Sequence, residues 1–260
     1  MKPKVSVIIP VYNAEAWLGQ CLESLAAQAL DSLEIVLVDD HGDDGSMDLA
    51  RGFAQGQGAG MDFVFESTPC NSGPGAARNV GISRASGDYV AFVDSDDTVE
   101  PDFCLKLWAA ATESGADLAC CDINISGKVH RNPDAEDKRH FLRHFVTYFT
   151  TFIYRRTMLL EKNLFFPHTS SAEDTCFLTC CILCANRIAQ VNEPLYNYWT
   201  RGGSLSTCKS RRRAVQRLSS IWKMIVYSKE HGVFKPYSME IKIIALKKGY
   251  LLSLKDLITG

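Results

Sequence analysis

The chain has 260 residues, 46% of them hydrophobic, and a formal net charge of −2. This composition excludes a disordered chain and supplies enough apolar surface for a large core. The charge is unevenly distributed, because the stretch from Lys209 to the end holds 12 Lys or Arg and three acids, a net of +9, which leaves about −11 for the rest. An acidic body with a basic end does not suggest a nucleic-acid-binding protein. It is typical of an enzyme that holds a metal ion and docks against an anionic partner.

The N-terminus gives no sign of export. Pro10 interrupts the apolar run Val5–Val11 and no small-residue cleavage site follows it. No run of 18 apolar residues is present, so we expect no membrane span. The ten cysteines then indicate reduced thiols packed as small apolar side chains. These features together predict a cytoplasmic protein.

Strands alternate with helices over the first hundred residues. The predicted elements are a strand over Lys4–Pro10, a helix over Ala14–Ala29, a strand over Glu34–Val38, a helix over Ser46–Gln55, a strand over Met61–Glu66, a helix from the Asn71–Gly75 loop through Ser86, and a strand over Tyr89–Val93. This order predicts an α/β fold with a doubly wound, mostly parallel sheet flanked by helices. Acidic residues follow two of these strands, at the edge where such sheets bind ligands.

The pattern changes after Pro101. We predict a helix over Asp102–Ser114, a strand over Ala116–Ile125, a polar loop or variable insert over Lys128–Arg143, a helix over Asp174–Ala185, an extended segment over Val191–Trp199 and basic helices from Arg211 onward. The aromatic residues between Phe141 and Tyr154 indicate either core packing or a contact with a second copy. We therefore divide the chain into an α/β domain over residues 1–208 and a short, basic, helical C-terminal segment over residues 209–260.

Two acidic strand ends are candidates for chemistry. In Asp94-Ser95-Asp96-Asp97, two carboxylates one residue apart can face a hard cation such as Mg²⁺ or Mn²⁺. Taken alone, this motif is more often a solvated turn that caps the next helix. Asp39-Asp40 can accept a hydrogen bond from a base N–H, such as the imide of uracil, or can cap the following helix.

A third candidate is the glycine-containing loop that begins at Asn71. It lacks the Lys-Ser/Thr ending of a Walker loop. Arg78 falls on the first turns of the helix that follows, where a guanidinium can clamp phosphate. The alternative is a plain loop and helix start.

Taken in order, these motifs resemble one known family. Val5-Ser-Val-Ile-Ile-Pro-Val-Tyr-Asn13, Val38-Asp-Asp40, Gly75-Ala-Ala-Arg-Asn79 and Phe92-Val-Asp-Ser-Asp-Asp97 are similar to motifs of the inverting family 2 glycosyltransferases, which have the GT-A fold. The resemblance covers residues 4–105 and resumes at Ala172–Phe177 and at Leu195–Ser206. One departure is His41-Gly42-Asp43, which separates Asp40 from Asp44-Gly45-Ser46, where many members continue directly.

The resemblance implies a role for each matching residue. It implies that Pro10 and Tyr12 line the nucleoside pocket, that Asp40 and with it Asp39 hold the base, and that Arg78 lies near the base or diphosphate. It implies further that Asp94 lies near the ribose and the metal, that Asp96 binds the metal, and that Asp97 supports these two acids. Asp174 is the implied general base, and Glu173 lies beside it on the acceptor side.

The implied function is sugar transfer from a nucleoside-diphosphate sugar, with uridine the expected nucleoside, to an acceptor hydroxyl with inversion and with Mn²⁺ or Mg²⁺. The family points to a saccharide or lipid-linked acceptor in surface polysaccharide or glycolipid synthesis. From the basic segment we also expect a peripheral contact with the inner face of the membrane. The oligomeric state is left open. The alternatives are a non-catalytic protein that binds nucleotide sugars and a sugar-nucleotide pyrophosphorylase. The latter usually has a glycine-rich, basic phosphate loop, which Val7–Asn13 lacks.

Two further groups contain residue types that can bind metal ions. Cys176, Cys180, Cys181 and Cys184 crowd one predicted helix, and without paired Cys-x-x-Cys or His partners they indicate core packing rather than zinc. His168 precedes Glu173 and could approach the metal, although a loop histidine has many other uses.

Overall fold

The protein, a computed structural model, is described over residues 2–200 and 210–253, and these residues form one mixed sheet with helices on both faces. The strands are β1 Val5–Val11, β2 Leu33–Asp39, β3 Asp62–Ser67, β4 Tyr89–Phe92, β5 Thr98–Val99, β6 Leu118–Ile125, β7 Lys128–His130, β8 Phe152–Arg155 and β9 Ile188–Tyr198. The helices are α1 Glu15–Ala26, α2 Ser46–Gln55, α3 Pro74–Arg84, α4 Phe103–Ser114, α5 Lys138–His144, α6 Arg156–Glu161, α7 Glu173–Cys184, α8 Arg211–Glu230 and α9 Ser238–Ile244. A 3₁₀ turn covers Phe149–Thr151, and α9 continues as a π-helix over Ala245–Leu251.

The sheet runs in the order β3-β2-β1-β4-β8-β6-β9-β5, with β7 paired to the edge of β6. β1 to β4 pair in parallel, which confirms the parallel sheet predicted for the first hundred residues. β8 then pairs antiparallel with both β4 and β6, so the whole sheet is mixed. The sequence pattern did not show β8, because its residues are almost all buried and therefore lack the alternation of a half-exposed strand.

Alternate residues of the central strands pack on opposite faces of the sheet. Ile8 and Phe92 lie in one apolar core, which α3 and α7 cover, whereas Val7 and Ile9 lie in the other, which α1 and α4 cover. This arrangement follows from the two-residue period of a strand that is buried on both sides. It leaves the carboxyl ends of β1, β2 and β4 together at one edge.

The C-terminal helices pack onto the α/β body. Ile221 and Met224 of α8 and Ile241 of α9 are buried in the same core as Phe177 of α7. The proposed boundary at residue 208 falls among residues 201–209, outside the described residues, as does the start of the basic segment at Lys209. The two-part division therefore stays a prediction.

The polar stretch Lys128–Arg143 was expected to be a loop or a variable insert, and the loop interpretation was wrong for two parts of it. It contains β7, which forms a hairpin with β6, and the start of α5. The Asp137 carboxylate caps α5 by accepting hydrogen bonds from the Arg139 and His140 amides. Because β7 is short and mostly exposed, its pairing with β6, rather than its own pattern, makes it a strand.

The cysteine-rich helix is part of the core. Cys176, Cys180 and Cys181 of α7 are buried, and all nine cysteines in the described residues are free thiols. Over those same residues, no group of three or more His, Cys, Asp or Glu side chains is placed to hold a metal ion. The burial of Cys176, Cys180 and Cys181 confirms the core-packing interpretation for these three thiols. Phe141 and Tyr154 are likewise buried in the core, as the first interpretation of the aromatic cluster predicted.

None of the helices in the two described ranges combines the length and apolar character that a membrane span needs.

Candidate active site

An open cleft of about 630 Å³ lies at the carboxyl edge of the parallel strands. Six of the residues selected from the sequence line it, namely Pro10, Tyr12, Asp40, Arg78, Asp94 and Asp96. They are brought together from β1, from the residues after β2 and β4, and from the first turns of α3. Because parallel strands all end at this edge, residues separated by more than 80 positions meet in one site.

The loop after β2 is held against the turn that follows β1. His41 has a left-handed backbone (φ 60°), and an added Cβ on Gly42 would lie 2.7 Å from the Asn13 amide nitrogen. The Asp43 amide donates to Asn13 Oδ1 at 2.8 Å. The inserted residues His41 to Asp43 thus pack against the Tyr12-Asn13 turn and leave Asp40 on the cleft.

Asp40 is buried and holds the loop that precedes α3. Its Oδ1 accepts hydrogen bonds from Thr68 Oγ1 at 2.8 Å and from the Ser72 amide at 2.9 Å, and its Oδ2 accepts one from the Gly73 amide at 2.8 Å. A carboxylate has about four acceptor sites, so three bonds leave capacity for one more donor from the cleft. Asp39 does not line the cleft, and its Oδ1 accepts from the His41 amide.

Arg78 forms a buried ion pair at the floor of the cleft. Its guanidinium donates to Asp94 Oδ1 at 2.6 Å and lies over the rings of Phe149 and Phe166, at 4.6 and 5.4 Å from their centroids. Burial lowers the pKa of Arg78, but Asp94, and after it Glu173 and Asp174, outweigh burial and raise it. The arginine therefore stays charged between two groups of acids.

The acids after β4 lie close to one another. Asp94 and Asp96 line the cleft, whereas Asp97 is buried and accepts hydrogen bonds from Tyr196 Oη at 2.8 Å and from the Trp199 amide at 3.1 Å. Burial, followed by the charges of Asp94 and Asp96, raises the pKa of Asp97 to about 8. The three carboxyls are therefore close enough for their charges to repel, and a cation bound beside them would relieve that repulsion.

This edge fits a divalent cation that is shared with a ligand. Mg²⁺ and Mn²⁺ at nucleotide sites commonly use one or two carboxylates plus phosphate oxygens rather than a complete protein cage. Asp96 can supply one such carboxylate. Asp94 is the weaker candidate, because one of its oxygens already pairs with Arg78.

Glu173 and Asp174 begin α7 beside Arg78, and neither lines the cleft itself. Glu173 packs near the start of α3, where a Cβ on Gly75 would lie 3.5 Å from its Cγ. Asp174 Oδ1 accepts from the Thr175 amide at 2.6 Å. Burial raises the pKa of both carboxyls, and the Asp174 charge raises that of Glu173 further. A carboxylate with a raised pKa is a stronger proton acceptor, which suits a general base.

The sequence interpretation missed several aromatic residues of the cleft. Trp17, Tyr198 and Trp199 line it, and Trp199 is tied to the acidic turn because its indole donates to Thr98 Oγ1 at 3.4 Å. Trp17 falls in the helix predicted over Ala14–Ala29 and was not selected as a site residue, yet it lines the cleft and is 41% exposed. Its place near the start of α1, just after Tyr12, was the available signal.

His168 lies on the surface near α8. It is exposed, and its carbonyl oxygen accepts from Lys223 Nζ at 3.2 Å. It does not line the cleft, so its suggested approach to a metal stays a prediction.

Comparison with known proteins gives a consistent answer. The model of Glycosyl transferase family 2 matches residues 6–179, more than half of the chain. The glycosyltransferase EpsJ of Bacillus subtilis, itself uncharacterized, is 31% identical over 223 residues, which cover 79% of this chain and 64% of EpsJ. The poly(ribitol-phosphate) β-N-acetylglucosaminyltransferase TarS of Staphylococcus aureus is 31% identical over 208 residues, which cover 76% of this chain and 36% of TarS. The chain thus spans less than two thirds of the length of either relative.

Two solved structures share the fold. A fragment of Staphylococcus aureus TarS in complex with UDP-GlcNAc superposes with a TM-score of 0.76 at 24% identity, over 94% of this chain and 73% of that one. The mannosyltransferase PcManGT of Pyrobaculum calidifontis, in complex with GDP-Man and Mn²⁺, gives a TM-score of 0.72 at 20% identity, over 99% of this chain and 75% of that one. At these identities the likeness establishes the fold alone, and it agrees with the GT-A architecture predicted from the motifs.

Proposed function

Because the chain belongs to glycosyltransferase family 2, we propose that it transfers a sugar from a nucleoside-diphosphate sugar to an acceptor hydroxyl with inversion. The observation that carries this proposal is the convergence of Tyr12, Asp40, Arg78 and the acids after β4 on one cleft. That set combines an aromatic face, a buried acceptor, a cation and hard oxygen ligands. These are the groups that a base, a diphosphate and a divalent cation require.

We propose that the donor carries uridine. Asp40 is an acceptor with spare capacity, and uracil presents an imide N–H, whereas Tyr12 is 49% exposed beside it and offers a face for stacking. The TarS fragment was solved with UDP-GlcNAc, which supports this choice, although PcManGT was solved with GDP-Man. Thymine has the same imide edge, so a dTDP-sugar is the second choice.

Titration calorimetry tests the nucleotide directly. We expect UDP to bind more tightly than GDP, and Asp40→Asn to weaken UDP binding, because an amide can present its NH₂ group where the carboxylate accepts. Thr68→Val is the matched control, since it removes one partner of Asp40 without touching the cleft. Tighter binding of GDP than of UDP would contradict the assignment.

The proposal includes a Mn²⁺ or Mg²⁺ ion held by Asp96, with Asp94 as an additional ligand. Such an ion, when bound, supplies positive charge at the departing diphosphate. Arg78 adds a fixed, buried positive charge on the same side of the cleft. Its pairing with Asp94 holds that charge in place before substrate arrives.

The reaction needs a base for the acceptor. As the bond between the anomeric carbon and the diphosphate oxygen breaks, the acceptor oxygen bonds to that carbon and its proton passes to Asp174. Burial raises the pKa of Asp174 and so favours this proton uptake. Glu173, whose pKa is also raised, lies next to it and can orient the acceptor.

The acceptor is proposed to be a saccharide or a lipid-linked saccharide of surface polysaccharide or glycolipid synthesis. Support comes from TarS and from a Bacillus spizizenii relative, 31% identical over 208 residues, both of which are named for transfer to poly(ribitol-phosphate). We place the enzyme at the cytoplasmic face of the membrane, because the C-terminal segment is strongly basic.

Donor turnover tests the enzymatic proposal as a whole. Purified protein is incubated with UDP-sugars and Mn²⁺ or Mg²⁺, and released UDP is measured with water alone and with saccharide acceptors. UDP release would exclude a protein that only binds the donor. Formation of a sugar 1-phosphate and UTP from added pyrophosphate would instead indicate a pyrophosphorylase. Failure to release the matching nucleoside diphosphate from any tested UDP-, GDP- or dTDP-sugar would contradict the proposed activity.

A further inference from the structure

An apolar stripe runs along the outer face of α8. Val215, Leu218 and Trp222 are 62, 41 and 63% exposed. At about 100° per residue, these three positions fall within an arc of about 60° on a helix. A surface helix normally turns such a stripe toward the core, and α8 also has a separate buried side that includes Ile221 and Met224. The outer stripe is therefore a second apolar face that the described residues do not cover.

Exposed apolar residues are concentrated in this part of the molecule. Of the thirteen large apolar side chains that are exposed in the described residues, eight lie between Val215 and Leu252. The π-helix that follows α9 lies along α8, since a Cβ on Gly249 would lie 2.9 Å from Ile221 Cγ1 and Ser253 Oγ donates to the Ala214 carbonyl oxygen at 3.2 Å. It exposes Leu246, Tyr250 and Leu251. Two neighbouring elements thus present apolar side chains to the surroundings.

The charges on α8 identify the partner. Arg211 and Lys229 fall in the same arc as the apolar stripe, one at each end of the helix, and Arg212 and Lys223 lie beside it. All four are exposed, and α8 contains a single acid, Glu230. Apolar side chains bordered by long basic ones match the interface of an anionic bilayer, where the stems lie along the apolar region and the charged ends reach the headgroups.

From this arrangement we propose that α8 lies in the surface of an anionic membrane and inserts Val215, Leu218 and Trp222 among the lipids. This goes beyond attraction by charge, because the apolar stripe supplies binding that salt does not screen. A single apolar contact of this kind is weak, and two signals together, apolar insertion and basic residues, are what stable interfacial binding requires.

The same helix contacts the segment before the proposed base. Ser220 Oγ donates to the Ser171 carbonyl oxygen at 2.7 Å, and Thr169 Oγ1 lies 2.5 Å from Ser220 Oγ. Ser220 lies on the side of α8 opposite the apolar stripe, so with α8 on the bilayer the segment before Glu173 lies about one helix diameter, about 10 Å, from the lipid surface. This position suits an acceptor that is itself anchored in the membrane, an extension that rests on the proposed function.

Vesicle sedimentation tests the surface without using sugar transfer. We expect the full chain to pellet with vesicles that contain phosphatidylserine and to stay largely in solution with phosphatidylcholine alone. Trp222→Ser should weaken binding to the anionic vesicles by about 10- to 100-fold, the effect of withdrawing one large buried apolar side chain. Leu160→Ser, at a 40% exposed apolar position on α6, is the matched control and should bind as the wild type does.

Three outcomes would overturn the proposal. Equal binding by Trp222→Ser and the wild type would show that the stripe does not insert, and equal pelleting with both kinds of vesicle would remove the role of charge. A wild type that ignores both vesicles but forms dimers that Trp222→Ser dissociates would assign the stripe to a second copy. UDP release with water as acceptor should be unchanged in Trp222→Ser. If the wild type releases no UDP but binds the anionic vesicles as expected, the proposed function fails and the membrane proposal stands.

Discussion

The proposed general base is the residue whose role is most open to a direct test. Asp174→Asn keeps the size of the side chain and an oxygen that can accept from the Thr175 amide. We expect near-wild-type UDP affinity and melting temperature. Transfer should be slowed by about 100-fold or more, because no carboxylate is left to take the proton from the attacking hydroxyl group. Initial rates and calorimetry on the same preparation measure both effects.

Glu173→Gln is the paired variant and should lose less activity than Asp174→Asn. Normal transfer by Asp174→Asn together with an inactive Glu173→Gln would move the base to Glu173. Early unfolding of both variants would mean that the pair is a structural cap for α7.

The pH profile offers an independent check on the base. Burial raises the pKa of Asp174 above its ordinary value of 3.8. A base must be unprotonated to act, so transfer should fall as pH drops through this raised pKa, at a higher pH than an ordinary aspartate would give. This fall in activity at low pH should be measured as kcat/KM against pH, with the melting temperature followed over the same range. A rate that stays level down to pH values near 3.8 would contradict the raised pKa.

At Asp96 the expected effect is on donor binding as well as on rate. Asp96→Asn replaces a carboxylate by a neutral amide, a poorer ligand for a hard cation, so UDP binding in Mn²⁺ should weaken and transfer should be lost. Asp43→Asn, at an exposed acid outside the lining of the cleft, controls for the change in net charge. Full activity of the wild type in excess EDTA would show that this assignment is wrong.

At the scale of elements, the contact between α3 and β1 positions Arg78. Gly81 of α3 lies against Ile8 of β1, and an added Cβ would come within 2.3 Å of Ile8 Cγ2. Gly81→Ala should therefore push α3 from the sheet and lower the free energy of unfolding by about 1–3 kcal/mol. UDP binding should weaken as well, since Arg78 lies one turn earlier on the same helix.

Gly19→Ala is the matched control for that substitution. Gly19 lies inside α1 and has nothing within 4 Å of an added Cβ. Alanine there should raise the free energy of unfolding by up to about 1 kcal/mol through helix propensity. Urea denaturation of the two variants gives the comparison. Equal stability of both would contradict the prediction that the close contact between Gly81 and Ile8 makes alanine destabilising.

At the scale of the whole molecule, one buried acid ties the C-terminal helices to the α/β body. The Glu240 side chain of α9 is fully buried and pairs with Arg143 at 2.6 Å and Arg139 at 3.2 Å, both from α5. Burial by itself raises the pKa of Glu240, but its own backbone amide and the two arginines outweigh burial and lower it below 4.5. These two ion pairs join α9 to α5.

Glu240→Gln should destabilise the protein at neutral pH by about 1–3 kcal/mol, because it removes the charge that two arginines bond. A lowered pKa contributes stability that is present above the unfolded value of 4.5 and lost as pH falls through the folded value. The gap between wild type and variant should therefore narrow at pH values well below 4.5. Glu230→Gln, at an exposed acid ending α8, is the control, and a gap that does not depend on pH would contradict the assignment.

The sequence by itself determined the parallel half of the sheet and much of the cleft. The strands that end near Val11, Asp39 and Phe92 are buried, mostly apolar runs, and polar residues that follow them directly must meet at one edge. For that reason Tyr12, Asp40 and Asp96 could be selected from motifs and strand ends alone.

Only the tertiary structure decided the rest. Arg78 faces Asp94 because α3 packs on β1, and Trp199 joins the cleft because Asp97 holds its amide. No local sequence pattern predicts either contact, because the partners lie on different elements that meet only when the chain folds. The C-terminal helices were recognisable from the sequence as basic helices. Which of their two apolar faces is buried depends on the core that the α/β body presents to them, and that is a property of the folded molecule.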